Sequence, residues 1–430
     1  MRASRKISLS DIPNFKKQLL TWAQQFEEVV WLDSNSHRQA YGSFDALLAV
    51  DALTSLRTDT SNGFRELADY RKATNDWIFG FLTYDLKNSV EALVSQNYDG
   101  LDFPGLFFFQ PKKIFLLKGN SLEVFYLNMV EDEISVDLSE IKNTDTAFRK
   151  SGFSNKIKVS LRIHKDAYYE KVNAILQHIK RGNIYEANFC QEFYASGVEI
   201  HPLESYCHLN AISQPPFATF MKVRDHFLLS ASPERYLRKE KDKVISQPIK
   251  GTARRSEDPF EDKKLKEQLS ADEKERAENI MITDLVRNDL SRTALKGSVV
   301  VEELCGVYSF KQVHQMISTV VSRVGDHTDP VTLLETTFPM GSMTGAPKIA
   351  AMQIIEELEE TRRGLYSGSV GFFTPEGDFD FNVVIRSILY NADKKYVSFS
   401  VGSAITAGSV PDKEYEECLI KAKAMREVLE

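Results

Sequence analysis

Cysteine is scarce in this 430-residue chain. The four cysteines, Cys190, Cys207, Cys305 and Cys418, lie far apart and form no CxxC pair. That argues against a disulfide framework or a zinc site and fits a reducing cytoplasm. Long apolar runs are missing too: none reaches the ~18 residues that a membrane-spanning helix needs. The N-terminus, MRASRKISLSDIPNFKK, is basic but lacks the apolar stretch of a secretory signal. Nor is there an excess of positive charge. Lys and Arg number 54 against 61 Asp and Glu, a net charge of −7, which argues against nucleic acid or a membrane surface as the main partner. No internal repeat or low-complexity tract is visible. What remains is an ordinary globular composition, 42% hydrophobic and 27% charged, with core enough for two or three domains or one interwoven one.

The periodicities are legible in order. FKKQLLTWAQQF reads as a helix and VVWLDS as a strand. WIFGFLTYDL is β in character, and GLFFFQPKKIFLLKGN with SLEVFYLNM reads as a hairpin turning at Gly119 and Asn120. The polar stretch Val130 to Lys158 is the linker candidate. A helix is expected over Lys165 to Arg181, with Val172, Ile175, Leu176 and Ile179 on one face and Gly182 as its cap. Strands follow at IYEANFCQEFYAS, FATFMKVRDHFLLSAS and KVISQPIKG. The charge-dense segment from Ala253 to Asn279 leads into a helix carrying Met281, Leu285 and Val286, and its first part is expected to be a loop over a site. Helices at Asp329 to Phe338, Ala346 to Glu360 and Lys413 to Leu429 enclose strands at SGSVGFFT, DFNVVIRSILY and KYVSFSVGSAIT. Strands arriving as hairpins with helices between them predict an α+β fold with antiparallel sheets.

Several groups of residues can carry chemistry. Lys250, in QPIKGT, follows Pro248 and precedes Gly251, where the backbone can approach a ligand closely. Burial there lowers an ammonium's pKa and makes a nucleophile of it; a strand-end lysine turned to water is the commoner alternative. Glu275 with Glu278, and Glu414 with Glu417, are pairs spaced by three near helix starts, so each pair shares a face. Joined by the fold, they make an all-oxygen site suited to Mg²⁺; left apart, they only complement helix macrodipoles. TFPMGSMTGAPKIAAM, with Gly341, Ser342, Thr344, Gly345 and Pro347, offers backbone N–H groups to an anion or is a plain loop before a helix. It is not a P-loop, because the GxxxxGK[ST] spacing is missing. Arg386, a charge in an apolar strand pattern, needs a carboxylate from a ligand or from the protein. His314 and Glu234 are lone polar residues whose individual signals are weak.

Together these motifs resemble the chorismate-utilising enzymes, the family of anthranilate synthase component I and aminodeoxychorismate synthase component I. The pieces GNIYEANFCQEF, LLSASPERYL, ISQPIKGT, AENIMITDLVRNDLSR, VYSFKQVHQM, FPMGSMTGAPKIAAMQIIEELE, GLYSGSVGFF, NVVIRS and DKEYEECLIKA follow in family order, and GFLTYDL resembles part of the N-terminal region. The resemblance implies a large antiparallel β-sandwich with helices packed outside. Residues 1–150 would be an N-terminal region interwoven with the core, and 160–430 the chorismate-binding catalytic region. PIKGT resembles the branch that makes 4-amino-4-deoxychorismate for p-aminobenzoate and folate, where anthranilate synthases look like PIAGT. It implies Lys250 as a nucleophile at C2 of chorismate and Glu234 as general acid/base. Glu278 and Glu417 are then direct Mg²⁺ ligands, with Glu275 and Glu414 acting through water. Arg386, Tyr366, Thr344, Lys421 and His314 would contact the substrate or lie beside it, and backbone N–H groups of Gly402, Ser403 and Ala404 would bind a carboxylate.

Two positions depart from the family pattern. Glu186 stands where relatives usually carry Gln, and where isochorismate and salicylate synthases carry a lysine that activates water. Gly402-Ser403-Ala404 replaces a more glycine-rich turn. No GxCxGxQ nucleophile elbow occurs in the sequence, so ammonia is expected from a separate glutamine amidotransferase subunit or from free ammonium.

Overall fold

The computed structural model describes residues 1–37, 40–146 and 157–430. Its layers meet at the strand Leu106–Lys118. Phe107, Phe109 and Ile114 enter one apolar cluster, Leu106 and Phe108 a second, Phe115 and Leu117 a third. A side-chain period of two sends neighbours to opposite faces, and this strand is long enough for its two halves to cover different helices. Residues 113–118 pair with Ser121–Leu127 through the expected turn, and residues 106–109 pair with Ile78–Leu82. Ala46–Thr58 runs along both halves.

Two antiparallel layers diverge from this junction. One continues through Glu28–Asp33, Phe217–Val223, His226–Ser232, Ser387–Asn391 and Tyr396–Thr406 to Glu186–Ser196. The other runs from Ile78–Leu82 through Ser369–Phe373, Phe379–Val383, Arg235–Glu240 and Lys243–Gln247 to Val313–Arg323. That last strand also carries Ile249–Arg254 and Val300–Ser309. Val30, Leu47, Phe79, Phe81, Met221, Val370, Phe372 and Leu389 fill the space between the layers. Outside the first layer pack Ile12–Trp22, Lys165–Lys180 and Pro411–Leu429; outside the second pack Gly63–Thr74, Glu273–Ser291 and Pro330–Thr337. The fold is thus an antiparallel β-sandwich with helices on its outer faces, as the sequence predicts. No helix among the described residues is long and apolar enough to cross a membrane.

Three local expectations need correction. The linker candidate contains the helix Ile134–Asn143, whose Ile134, Leu138 and Ile141 are buried while Asp137 accepts hydrogen bonds from Lys113 and Tyr126. Three apolar residues at helical spacing were enough, hidden in polar sequence; residues 147–156 of that candidate lie outside the described residues. The expected loop after Ala253 is a helix, Pro259–Ala271, capped by the Asp258 side chain. Only Leu269 on it is buried, so it carries no apolar stripe to read. DFNVVIRSILY is not one strand. It breaks at Arg386, whose φ of +53° ends one strand at Val383 and starts the next at Ser387. The strands Arg2–Ser8 and Ala46–Thr58 and the helices Gly63–Thr74 and Pro202–Ser213 form where the sequence alone had suggested no element.

Candidate active site

A cavity of about 770 Å³ opens where the Ile249–Arg254 strand, the first turns of Glu273–Ser291 and Pro411–Leu429, the Ser342–Met343 loop and residues 400–404 converge. Lys250, Glu234, Tyr366, Arg386, Gly402, Ser403, Ala404, Lys421, Glu275, Glu278, Glu414 and Glu417 all line it. Thr344 and His314 do not. Thr344 is fully buried behind Met343, with its hydroxyl on Gly341 O at 3.2 Å. His314 is turned away, its ring nitrogens on Asp262 Oδ1 at 3.0 Å and Ser309 Oγ at 2.9 Å. Its neighbour Gln315 lines the cavity and keeps a buried Oε1 without a hydrogen-bond partner among the described residues. The strand's alternation decides this: a shift of one residue changes the face.

Lys250 sits on an irregularity. Pairing with the Val313–Arg323 strand slips between Ile249 and Thr252, and Gly251 takes φ +96°. That region favours glycine, and a Cβ there would also meet Met316 Cβ at 3.1 Å and Glu275 Oε2 at 3.2 Å. Asn279 pins the irregularity, its Nδ2 donating to Lys250 O and to Met316 O at 3.1 Å each. The Lys250 ammonium donates to Glu186 Oε1 at 2.7 Å. Burial works to lower its pKa, but the Glu186, Glu278 and Glu234 carboxylates outweigh burial and the net displacement is upward. The depressed lysine expected from the sequence is therefore not what the folded chain holds; it holds an ion pair.

Glu234 occupies the gap between His226–Ser232 and Arg235–Glu240. It is 3% exposed, and Ser342 Oγ donates to its Oε1 at 2.6 Å. Burial raises its pKa to about 7, against the opposing effects of Ser342 and Lys250. Arg386 lines the cavity, where the carboxylate that bears on its charge is Glu417. Burial lowers its pKa. Lys421 bridges Gly402 O at 2.8 Å and Glu417 at 2.6 Å. The Tyr366 hydroxyl contacts Cys190 Sγ at 3.6 Å. Gly402, Ser403 and Ala404 pair with Cys190, Phe189 and Asn188, whereas the strand's other edge loses its partner beyond Ser398. Only alternate backbone groups there are free to face a ligand.

The fold joins the two carboxylate pairs. Lys274, which the sequence did not single out, stands among all four, and their charges raise its pKa against the effect of burial. Ser403 Oγ donates to Glu414, and Glu278 has its pKa raised to about 7 by burial and, among the described residues, no hydrogen-bond partner for its buried Oε1. As the side chains stand, no three acid, histidine or cysteine residues among the described ones are grouped to hold a metal ion. The donor chemistry nonetheless fits a hard divalent cation: the four side chains offer carboxylate oxygens only, and Glu278 Oε1, 3.7 Å from Lys274 Nζ, makes no hydrogen bond among the described residues.

Comparison with known proteins bears on the family and the fold. The family model of the chorismate binding enzymes matches residues 25–427. The chain is 33% identical to anthranilate synthase component 1 of Thermus thermophilus over 359 residues, 82% of this chain and 77% of that protein. It is 29% identical to aminodeoxychorismate synthase component 1 of Bacillus subtilis, covering 97% of this chain and 95% of that protein. Identity reaches 40% over 273 residues with the aminodeoxychorismate synthase of Streptomyces griseus, 63% of this chain but only 37% of that longer protein. In fold, anthranilate synthase component I from Streptococcus pneumoniae superposes with a TM-score of 0.78 at 24% identity, over 91% of this chain and 94% of that one.

Proposed function

The chain belongs to the chorismate-binding enzyme family, and on that premise we propose that it converts chorismate and ammonia to 4-amino-4-deoxychorismate, the p-aminobenzoate precursor of folate synthesis. The observation that carries this reading is a lysine in the cavity, Lys250, with Glu234 close enough to bear on its charge. Replacing the C4 hydroxyl of chorismate by an amine at the same carbon is one hard substitution, and a covalent intermediate splits it into two. The Lys250 amine adds at C2. The C1=C2 electron pair moves to C1=C6, the C5=C6 pair moves to C4=C5, and the C4–O bond breaks. Glu234, near half-protonated at neutral pH, supplies the proton with which that oxygen leaves as water. Ammonia then adds at C4, the shifts reverse, and the amine is expelled.

The rest of the cavity orients the substrate. Arg386 offers a guanidinium fork to a substrate carboxylate. Tyr366, Lys421 and the backbone of Gly402, Ser403 and Ala404 lie along the same wall, and Thr344 supports it from behind. Mg²⁺ held by Glu278 and Glu417, with Glu275 and Glu414 around them, would offset the charge of the ring carboxylate as a Lewis acid. A separate glutamine amidotransferase would supply the ammonia. Incubation with chorismate, Mg²⁺ and ammonium should yield aminodeoxychorismate as main product; anthranilate or isochorismate in its place refutes the reading. The second reading, anthranilate synthase component I, is favoured by the match to the Thermus thermophilus protein. It requires fluorescent anthranilate and pyruvate from the same incubation.

A further inference from the structure

An ammonium locked onto a buried carboxylate has no lone pair with which to attack. Glu186 opens the Glu186–Ser196 strand, and its backbone is held on both sides, by Ala346 and by Thr406. Gly345, at φ +148°, allows this approach, since a Cβ there would lie 2.2 Å from Glu186 O. The Glu186 side chain is 1% exposed, meets Lys250 Nζ at 2.7 Å through Oε1, and keeps Oε2 buried with no hydrogen-bond partner among the described residues. A buried, unpartnered carboxylate oxygen of this kind costs free energy, and a proton on that carboxylate removes the charge that burial penalises. Among the described residues Glu186 is the one carboxylate in ion-pair contact with Lys250, while Glu234 is engaged by Ser342.

We propose that Glu186 is the catalytic base that takes the proton of the Lys250 ammonium as the amine adds to the substrate, and returns it when the amine leaves. This rests on the reading of Lys250 as the nucleophile. The electrons of one Nζ–H bond become the lone pair that forms the N–C2 bond, and that proton goes to the Glu186 carboxylate. The departing C4 oxygen takes the Glu234 proton and leaves as water. When ammonia adds at C4, the C2–N electrons return to Lys250 and Glu186 gives its proton back. The ammonium formed on C4 loses a proton to Glu234. Both carboxyl groups are restored, and the sum is chorismate plus ammonia giving aminodeoxychorismate plus water.

Moving a proton inside an ion pair changes no net charge, so this step is independent of pH while the pair is intact. The carboxylates bearing on Lys250 are Glu186, Glu234, Glu278 and Glu417, the last two on helices across the cavity. The test is adduct formation in a single turnover, with chorismate and saturating MgCl₂ and without ammonium, followed by peptide mass spectrometry on Lys250. Below pH 7, where Glu234 keeps its proton, the wild-type rate should be flat. Glu186→Gln keeps the shape but must release the lysine proton to water. Its rate relative to wild type should be lower on the order of 10²-fold at pH 6 and recover roughly tenfold per pH unit. A constant ratio near one overturns the role of Glu186 and leaves that of Lys250 standing. A wild-type rate that itself climbs tenfold per unit below pH 7 overturns it too, and needs no variant to fold. Absence of any wild-type adduct overturns both.

Discussion

At Lys250 one contact serves both chemistry and stability. Lys250→Ala should reduce aminodeoxychorismate formation by roughly 10³-fold or more, the scale on which losing a covalent nucleophile acts. The same change leaves Glu186, 1% exposed, as a buried carboxylate without its cation. Stability should fall by about 3 kcal/mol at neutral pH, read from the denaturant midpoint, and adding Glu186→Gln should recover most of it. If the single variant is as stable as wild type, the ion pair is looser than its 2.7 Å contact implies. Glu234 makes a separate prediction. Burial raises its pKa to about 7, and the acid form is the competent one. kcat/KM at saturating Mg²⁺ should therefore be level on the acid side and fall about tenfold per pH unit above 7. Glu234→Gln should abolish that limb together with most of the rate; a limb that survives belongs to another group.

At the scale of elements, the irregular Ile249–Arg254 strand aims the lysine, and two residues keep it irregular. Asn279 satisfies the carbonyls of Lys250 and Met316 together. Asn279→Ala removes both hydrogen bonds and should cost on the order of 2 kcal/mol, with slower adduct formation on Lys250 as the accompanying sign. Gly251→Ala forces a Cβ onto φ +96° and should cost about 1–2 kcal/mol; an unchanged denaturation midpoint would show that the strand can relax. These details were legible only in part. The QPIKGT string shows that something unusual happens at Lys250, because Pro248 and Gly251 restrict and free the backbone locally. It does not show that Glu186, 64 residues earlier in the chain, lies opposite. His314 teaches the same lesson, since a strand's phase is set by its partners and one step put Gln315 at the cavity instead.

For the whole molecule, the first 127 residues are built into both layers. Glu28–Asp33 pairs with Phe217–Val223, and Ile78–Leu82 pairs with Ser369–Phe373. Residues 1–150 and 160–430, expressed apart, should each expose strand edges and half of the cluster between the layers. Neither should show a cooperative unfolding transition alone, whereas the two together should regain one. A fragment 160–430 that melts cooperatively by itself would mark the halves as independent domains.

By itself the sequence determined the α+β class, the order of the motifs and the helix Lys165–Lys180, because binary patterns and spacings of three or four survive without tertiary context. It also placed both carboxylate pairs at helix starts, where a three-residue step gives a shared face. Only the tertiary structure decided what meets across the cavity. It set Glu186 against Lys250, turned Arg386 out of a broken strand, and drew Lys274 in among the four carboxylates. A local pattern carries the period of an element and the face it buries. Which distant element it meets depends on the packing of the whole chain, and that choice also reversed the direction in which Lys250 titrates.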